Sequence, residues 1–426
     1  MKHSVKQIDK KTKIQFIAAL HNRAEIFSLI GQLDEALKDA LTALQCAEEL
    51  DEKIYIGETY ELLASIYSKS GDYQKMKESA EQSLIVYKEI GDRSGQSTSL
   101  GYISDYYLFS EDVERALELA IESRDMSENT NDLKSIAGSI SNIGIIYSDF
   151  IQEYEKSMQY HKKTLEISRK ADDKEMEAAS LNNLGNVYQL TGQIDKVGEC
   201  FSEAIEIAES IGDKQGVSSI YNNIGAVNFF NGSPDDAVMC FKRSLEIRRE
   251  IGDRRGCGVC LNNLGYIYEE MGQSNNALES FNEALKIRRG IGDNFGVGET
   301  LINIANYYRD HEDYEKALKN FAEAESIKEK LHEYKGVVKA LIGKGHIYRI
   351  TGKTDKAEQT LKRVLNRDDL EPQAYFEASC ELYHTMRKRN EKEAERILKR
   401  AETFMEEAGE NERAEKIREL GESGEK

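Results

Sequence analysis

Tryptophan is absent from this 426-residue chain, and proline occurs only twice, as Pro234 and Pro372. Proline breaks helix interiors, so its scarcity beside abundant Ala, Leu, Glu and Lys favours helix over strand. Aromatic packing falls to 22 tyrosines and 13 phenylalanines. Positive charge is also in deficit: 58 Lys and Arg face 77 Asp and Glu, for a formal net charge of -19. Sequence-independent binding to DNA or RNA needs clustered cations that displace counterions from phosphates, so the charge balance argues against nucleic acid as a partner. Nowhere do eighteen apolar residues run together, which argues against membrane insertion. The basic start "MKHSVKQIDKKTK" precedes only the short run "IQFIAAL", and no small-residue cleavage site follows. Six scattered cysteines (46, 200, 240, 257, 260 and 380) fit free thiols in a reduced, cytoplasmic setting.

A chain this long exceeds one ordinary core unless a repeat array lets the core grow in one direction. The phrase "IGDNFGVG", starting at Ile291, recurs forty residues earlier as "IGDRRGCG" and forty before that as "IGDKQGVS". Its first position falls at Leu50, Ile90, Thr130, Ala171, Ile211, Ile251, Ile291 and Leu331, at intervals of 40, 40, 41, 40, 40, 40 and 40. The extra residue lies in "SDFIQEYEKS", which reads as a loop where an insertion costs little. Nine units of about forty residues therefore fill residues 1–370. A degenerate tenth unit (Gln373 to Ala408), a polar capping helix and a disordered "GESGEK" tail fill 371–426.

Within each unit, apolar residues three and four apart form two runs broken at "MGQS" and "IGD", which predicts a helix, a turn and a second helix. Gly272 and Gly292 supply the left-handed residue that ends each helix, and Asp293 caps the next one. The recurring phrase is therefore structural punctuation. A glycine three residues later (Gly95, Gly216, Gly256, Gly296 and Gly336) is expected to let neighbouring first helices approach closely. Leu184, Ile224, Leu264 and Ile304 are each followed by a small residue, and the second helices carry Ala237, Ala277, Ala317 and Ala357 with Phe241, Phe281, Phe321 and Leu361 four residues on. No unit buries such a face alone, so stacking is obligatory.

These columns resemble the tetratricopeptide repeat, whose signature is matched by Leu264, Gly265, Tyr268, Ala277, Phe281 and Ala284. The forty-residue period and the "LNNLG" phrases are similar to the long-repeat arrays of kinesin light chains and spindle-orientation scaffolds. The resemblance implies an all-α solenoid, a right-handed superhelix of antiparallel helix pairs whose concave surface binds a peptide or partner segment. Asn228 and His161 depart from the Tyr and Phe columns. The two-Lys, two-Asn and Arg clamp with which some relatives hold a terminal carboxylate is absent at the matching positions, notably Gly343, which disfavours chaperone C-termini as ligands.

A helical wheel separates from the packing columns a second stripe, five before, one before, two after and six after the column leucine. In the seventh unit it is Val259, Asn263, Tyr266 and Glu270. One stripe position repeats as Asn22, Asn142, Asn183, Asn223, Asn263 and Asn303. Asparagine is a poorer helix former than alanine by ~0.7 kcal/mol, so six copies in mid-helix call for a reason. A carboxamide grips an extended peptide's C=O and N–H without reading its side chains. The alternative is a ladder that only bonds adjacent helices. The predicted peptide contacts are Asn142, Asn183, Asn186, Leu190, Asn223, Phe230, Asn263, Tyr266, Glu270, Asn303, Asn306 and Asp310. Leu190 and Phe230 make an apolar patch, while Glu270, Glu299 and Asp310 are acidic, partly offset by Arg309, Lys339 and Arg349. The expected ligand is a protein or peptide with an apolar anchor followed by basic residues.

"CGVC" at Cys257 to Cys260 has metal or redox spacing, but offers two ligands where zinc needs four, inside a helix without a histidine pair nearby. It reads as packing thiols. His346 is the one histidine on the inner stripe. No hydrolase, phosphate-loop or dinucleotide motif stands in a strand-to-helix setting, so neither catalytic centre, cofactor nor metal is expected. The reading is a cytoplasmic, non-enzymatic scaffold that holds a peptide along units four to eight. A regulatory or sensory module acting on a separate effector or transcription factor is the alternative, and homo-oligomerisation through the groove or end helices is a third.

Overall fold

A computed structural model describes residues 10–110, 112–367 and 370–422; the basic start as far as Asp9 lies outside them. Every regular element among the described residues is helical. The chain divides into two compact units, one ending at Asn294 and the other beginning at Phe295.

The first unit contains helices α1 (Lys10–Leu29), α2 (Leu33–Leu50), α3 (Lys53–Ser70), α4 (Tyr73–Ile90), α5 (Arg93–Phe109), α6 (Val113–Glu128), α7 (Leu133–Ile146), α8 (Tyr154–Lys170), α9 (Lys174–Leu190), α10 (Ile194–Ser210), α11 (Lys214–Phe230), α12 (Pro234–Ile251), α13 (Arg254–Glu270) and α14 (Ser274–Gly290). The second carries α15 (Asn294–Asp310), α16 (Tyr314–Lys330), α17 (Tyr334–Ile350), α18 (Thr354–Leu365), α19 (Pro372–Met386), α20 (Glu391–Glu407) and α21 (Asn411–Glu422). Both prolines open helices, α12 and α19, where the missing N–H goes unused. Odd-numbered helices are the first of each pair and even-numbered ones the second.

The turns follow from the recurring phrase. At the end of α12, Gly252 takes φ +75°; its N–H bonds Arg249 O at 3.3 Å, and Asp253 N–H bonds Arg248 O at 2.9 Å. Asp253 Oδ1 then accepts from Gly256 N–H at 2.8 Å, starting α13. Its other oxygen accepts from Arg248 Nη1 at 3.0 Å, so one carboxylate joins the end of one helix to the start of the next. At three of the positions where glycine is missing the backbone still turns left-handed, at Asp51 (φ 53°), Asp172 (φ 50°) and His332 (φ 55°); at Asn131 it does not.

The core columns pack as their spacing implies. Phe281 is buried, and its ring lies over Gly265, where an added Cβ would stand 2.5 Å from ring carbon Cδ1. Phe201 over Gly185 and Phe241 over Gly225 repeat the arrangement, and His161 takes the same place over Gly144. Burial pushes His161 down to about 4, so it packs as a neutral ring.

Three expectations need correction. The phrase glycines do not bring helix backbones together: a Cβ at Gly95 would meet the Tyr87 ring, at Gly256 the Arg248 guanidinium, and at Gly336 the Glu333 carboxylate. They clear space for the cap and for a side chain of the preceding second helix. The extra residue of the fourth unit is not in a loop but in a π-helical turn, Tyr147–Ile151, that prolongs α7 and closes with Glu153 N–H on Tyr147 O at 2.9 Å. The tail phrase begins inside a helix, since α21 runs through Gly421 to Glu422; its last four residues lie outside the described ones.

The first unit also returns on itself. Ile30 and Gly31, after α1, lie against Gly252 and Arg254 at the start of α13. Beside them Arg255 Nη1 donates to the carbonyls of Ser68 (3.2 Å) and Lys69 (3.1 Å) at the end of α3.

Candidate functional site

The stripe side chains of the first unit lie on successive odd-numbered helices. Asn142 on α7 is exposed, with its Nδ2 over Gly101 of α5. Asn183 and Asn186 on α9, Asn223 on α11 and Asn263 on α13 are half-buried. Asn223 Nδ2 donates to Asn182 Oδ1 at 3.0 Å, and Asn263 Nδ2 to Asn222 Oδ1 at 3.3 Å. Each of these bonds ties one first helix to the previous one and occupies one of the carboxamide's two N–H groups. The second N–H and the carbonyl lone pairs stay available for another partner. The role of Asn182 and Asn222 was missed, although the doublets "NN" that contain them recur at the repeat period.

Next to this ladder the surface is apolar and open. Leu190 is 54 %, Phe230 79 % and Tyr266 49 % exposed, and they lie on three successive odd-numbered helices. Phe229 holds the patch together: its ring meets Tyr266 edge-on at 5.6 Å and Phe230 at 5.9 Å, between centroids. Glu270, exposed one turn beyond Tyr266, accepts the tyrosine hydroxyl; burial and this carboxylate together raise the phenol.

In the second unit Asn303 and Asn306 are half-buried on α15, and Asp310 is exposed at its end. The acids there are matched by cations. Arg309 grips Asp310 through Nε and Nη2 at 2.7 and 3.1 Å, and Glu299 accepts from Lys328 Nζ at 2.6 Å. Lys328 is fully buried, lies 3.8 Å from the Phe295 ring centre and also pairs with Glu333 at 2.9 Å. Its counterparts in the first unit are Arg248 and the buried Arg288, each facing the aspartate that follows it. This basic column, buried at Arg288 and Lys328 and half-buried at Arg248, does not show in the sequence, because charges near a helix end pass for solvated ones.

His346 Nδ1 lies 2.9 Å from Glu381 Oε1, and Arg349 Nε donates to Glu381 Oε2 at 2.6 Å, so both fasten α17 to α19. Burial alone would raise the Glu381 carboxyl, but the hydrogen bonds from His346 and Arg349 hold it at about 2. Cys257 and Cys260 are buried on α13; burial pushes the Cys257 thiol to about 11, and Cys260 Sγ lies 3.1 Å from Ser244 Oγ. These are packing positions. No described helix is long and apolar enough to cross a membrane.

Stacked helix pairs repeated along the chain define an α-solenoid, a repeat scaffold for protein interactions. The tetratricopeptide repeat profile matches residues 15–75, 55–129, 135–210, 216–290 and 296–369. The chain belongs to that family. It is similar in structure to a Rap protein solved in complex with competence and sporulation factor, at 14% identity over 83% of this chain and 97% of that one, with a TM-score of 0.54. A signal transduction ATPase with numerous domains from Pyrococcus horikoshii, which carries a tetratricopeptide repeat sensor, is similar at 19% identity over 80% of this chain and 55% of that one, with a TM-score of 0.56. At these identities the likeness concerns the fold. The comparison with curated proteins finds no match.

Proposed function

We propose that the inner stripe of the first unit, from Asn142 to Glu270, holds an extended peptide segment of a partner protein, without catalysis. The observation that carries the reading is the pairing of half-buried carboxamides at Asn183, Asn223 and Asn263 with the exposed patch of Leu190, Phe230 and Tyr266 beside them. Carboxamides bond a peptide backbone of any sequence, and an apolar side chain of the ligand covers the patch, which water solvates poorly. Glu270 favours a basic residue next to that anchor. In the second unit Asp310 and Glu299 already have cationic partners, so their pull on a ligand is weaker than their charge suggests. The similar Rap protein was solved with competence and sporulation factor, which is compatible with this reading.

Panning a random dodecapeptide library over the protein, with Phe230→Asp as the counter-selecting variant, tests the proposal. Peptides enriched by the wild type and lost on the variant support it; equal enrichment on both removes the apolar anchor from the account.

A second reading, a regulatory module whose ligand changes the superhelix, is favoured by the contact of Arg255 with Ser68 and Lys69. These hydrogen bonds, with the packing of Ile30 and Gly31 beside them, hold a junction that a change of pitch would break.

A further inference from the structure

Between α5 and α7 the surface of the first unit sinks into a cleft of about 380 Å³, lined among others by Tyr102, Asp105, Ser135, Gly138 and Asn142. The third unit lacks the ladder asparagine and carries Tyr102 there; Asp105 holds the stripe position that Asn186 and Tyr266 hold further along. The floor is polar but already satisfied: Ser97 and Ser123 hydroxyls meet at 2.9 Å, and the Tyr102 hydroxyl is engaged with Ser65. Asp105 differs. It is half-buried and makes no hydrogen bond or ion pair among the described residues. Burial pushes its carboxyl up to about 7, the mark of an acceptor taken out of water without a cation to match it. Lys134, at the rim, is mostly exposed and turned to Asp173 at 3.4 Å. Among the described residues no other cation lines the cleft.

We infer that this cleft binds a primary ammonium group, held by the Asp105 carboxylate with the Ser135 hydroxyl across the cleft as a further acceptor. An ammonium offers three N–H donors and a full charge, which a half-buried lone carboxylate needs to stay ionised. A guanidinium demands a planar two-pronged acceptor, whereas acceptors from two helices surround a point charge. The amine belongs either to a peptide N-terminus or to a lysine side chain. That assignment of an owner rests on the peptide-groove reading; the ammonium site itself does not.

Saturation-transfer NMR with n-butylammonium as the probe, on the full chain, tests the site. Transfer is expected to fall about tenfold with Asp105→Asn, the effect of losing one charged hydrogen bond, and to be absent for n-butanol. Glu114→Gln, exposed on α6 and outside the cleft, is the control for unspecific attraction to an acidic protein and leaves it unchanged. Gly138→Leu, on the opposite wall where an added Cβ meets nothing within 4 Å, blocks the cleft without touching Asp105. Equal transfer from wild type, Asp105→Asn and Gly138→Leu overturns the inference. Glycylglycine amide against Nα-acetyl-lysine methylamide separates the α-ammonium from the side-chain source. Loss of butylammonium binding in Asp105→Asn with no peptide enriched in panning would defeat the groove reading and leave the ammonium site standing.

Discussion

Arg255 Nη1 donates to the carbonyl oxygen of Ser68, 187 residues earlier in the chain, at 3.2 Å. The start of α13 thus rests on the end of α3, and the first unit's array returns on itself. Removing the guanidinium with Arg255→Ala leaves every repeat-to-repeat interface intact. The variant should keep its helical circular dichroism yet give a more expanded small-angle scattering profile. A profile identical to the wild type would make this junction incidental.

Phe281 and Gly265 form a matched pair, ring against missing side chain. Phe281→Ala should cost about 3–5 kcal/mol and Gly265→Ala about 1–3, since the new methyl meets the ring. The double variant should cost less than the sum, because the methyl fills part of the space the ring leaves. Denaturant melts of the four proteins measure this; strict additivity would show that ring and glycine do not share a site.

His332 sits exposed at a left-handed position that glycine holds in other units. His332→Gly should raise stability by about 0.5–1 kcal/mol, relieved backbone strain outweighing the looser unfolded chain. Thermal unfolding reads the shift, and a lowered midpoint would contradict it.

Much of this was legible because a solenoid writes its core locally. The stop, cap and column residues recur at fixed spacing, so Gly292, Asp293, Gly265 and Phe281 announced turn and packing without knowledge of the whole. The contact of Arg255 with Ser68 was not legible, since it depends on small rotations summed over several repeats. The π-turn at Tyr147–Ile151 was hidden because one extra residue looks the same in a loop or a helix. Arg248, Arg288 and Lys328 repeat at forty residues, yet only burial shows them to be internal. Of the candidate site, the asparagine stripe was readable from its period. The bonds to Asn182 and Asn222 and the pairing of Asp310 with Arg309 needed coordinates.

Glu381 gives the second unit an acid-sensitive joint. Its folded carboxyl titrates near 2, below the 4.5 of a free glutamate, so the stability it contributes is fully present above about 4.5 and lost as pH falls toward 2. The contribution is on the order of 3 kcal/mol at neutral pH. Glu381→Gln should lower stability at pH 7 and flatten the acid limb of the stability profile. An unchanged acid limb would place the acid sensitivity elsewhere.

The central claim is that the carboxamide ladder grips a peptide rather than only spacing the helices. The most direct measurement is affinity capture from the native cell's lysate with the wild type beside the Asn183→Ala, Asn223→Ala, Asn263→Ala triple variant, read by mass spectrometry after matching their helicity. The account predicts partners held by the wild type and lost from the variant. The same partners recovered with both proteins would contradict it and leave the ladder as a spacer.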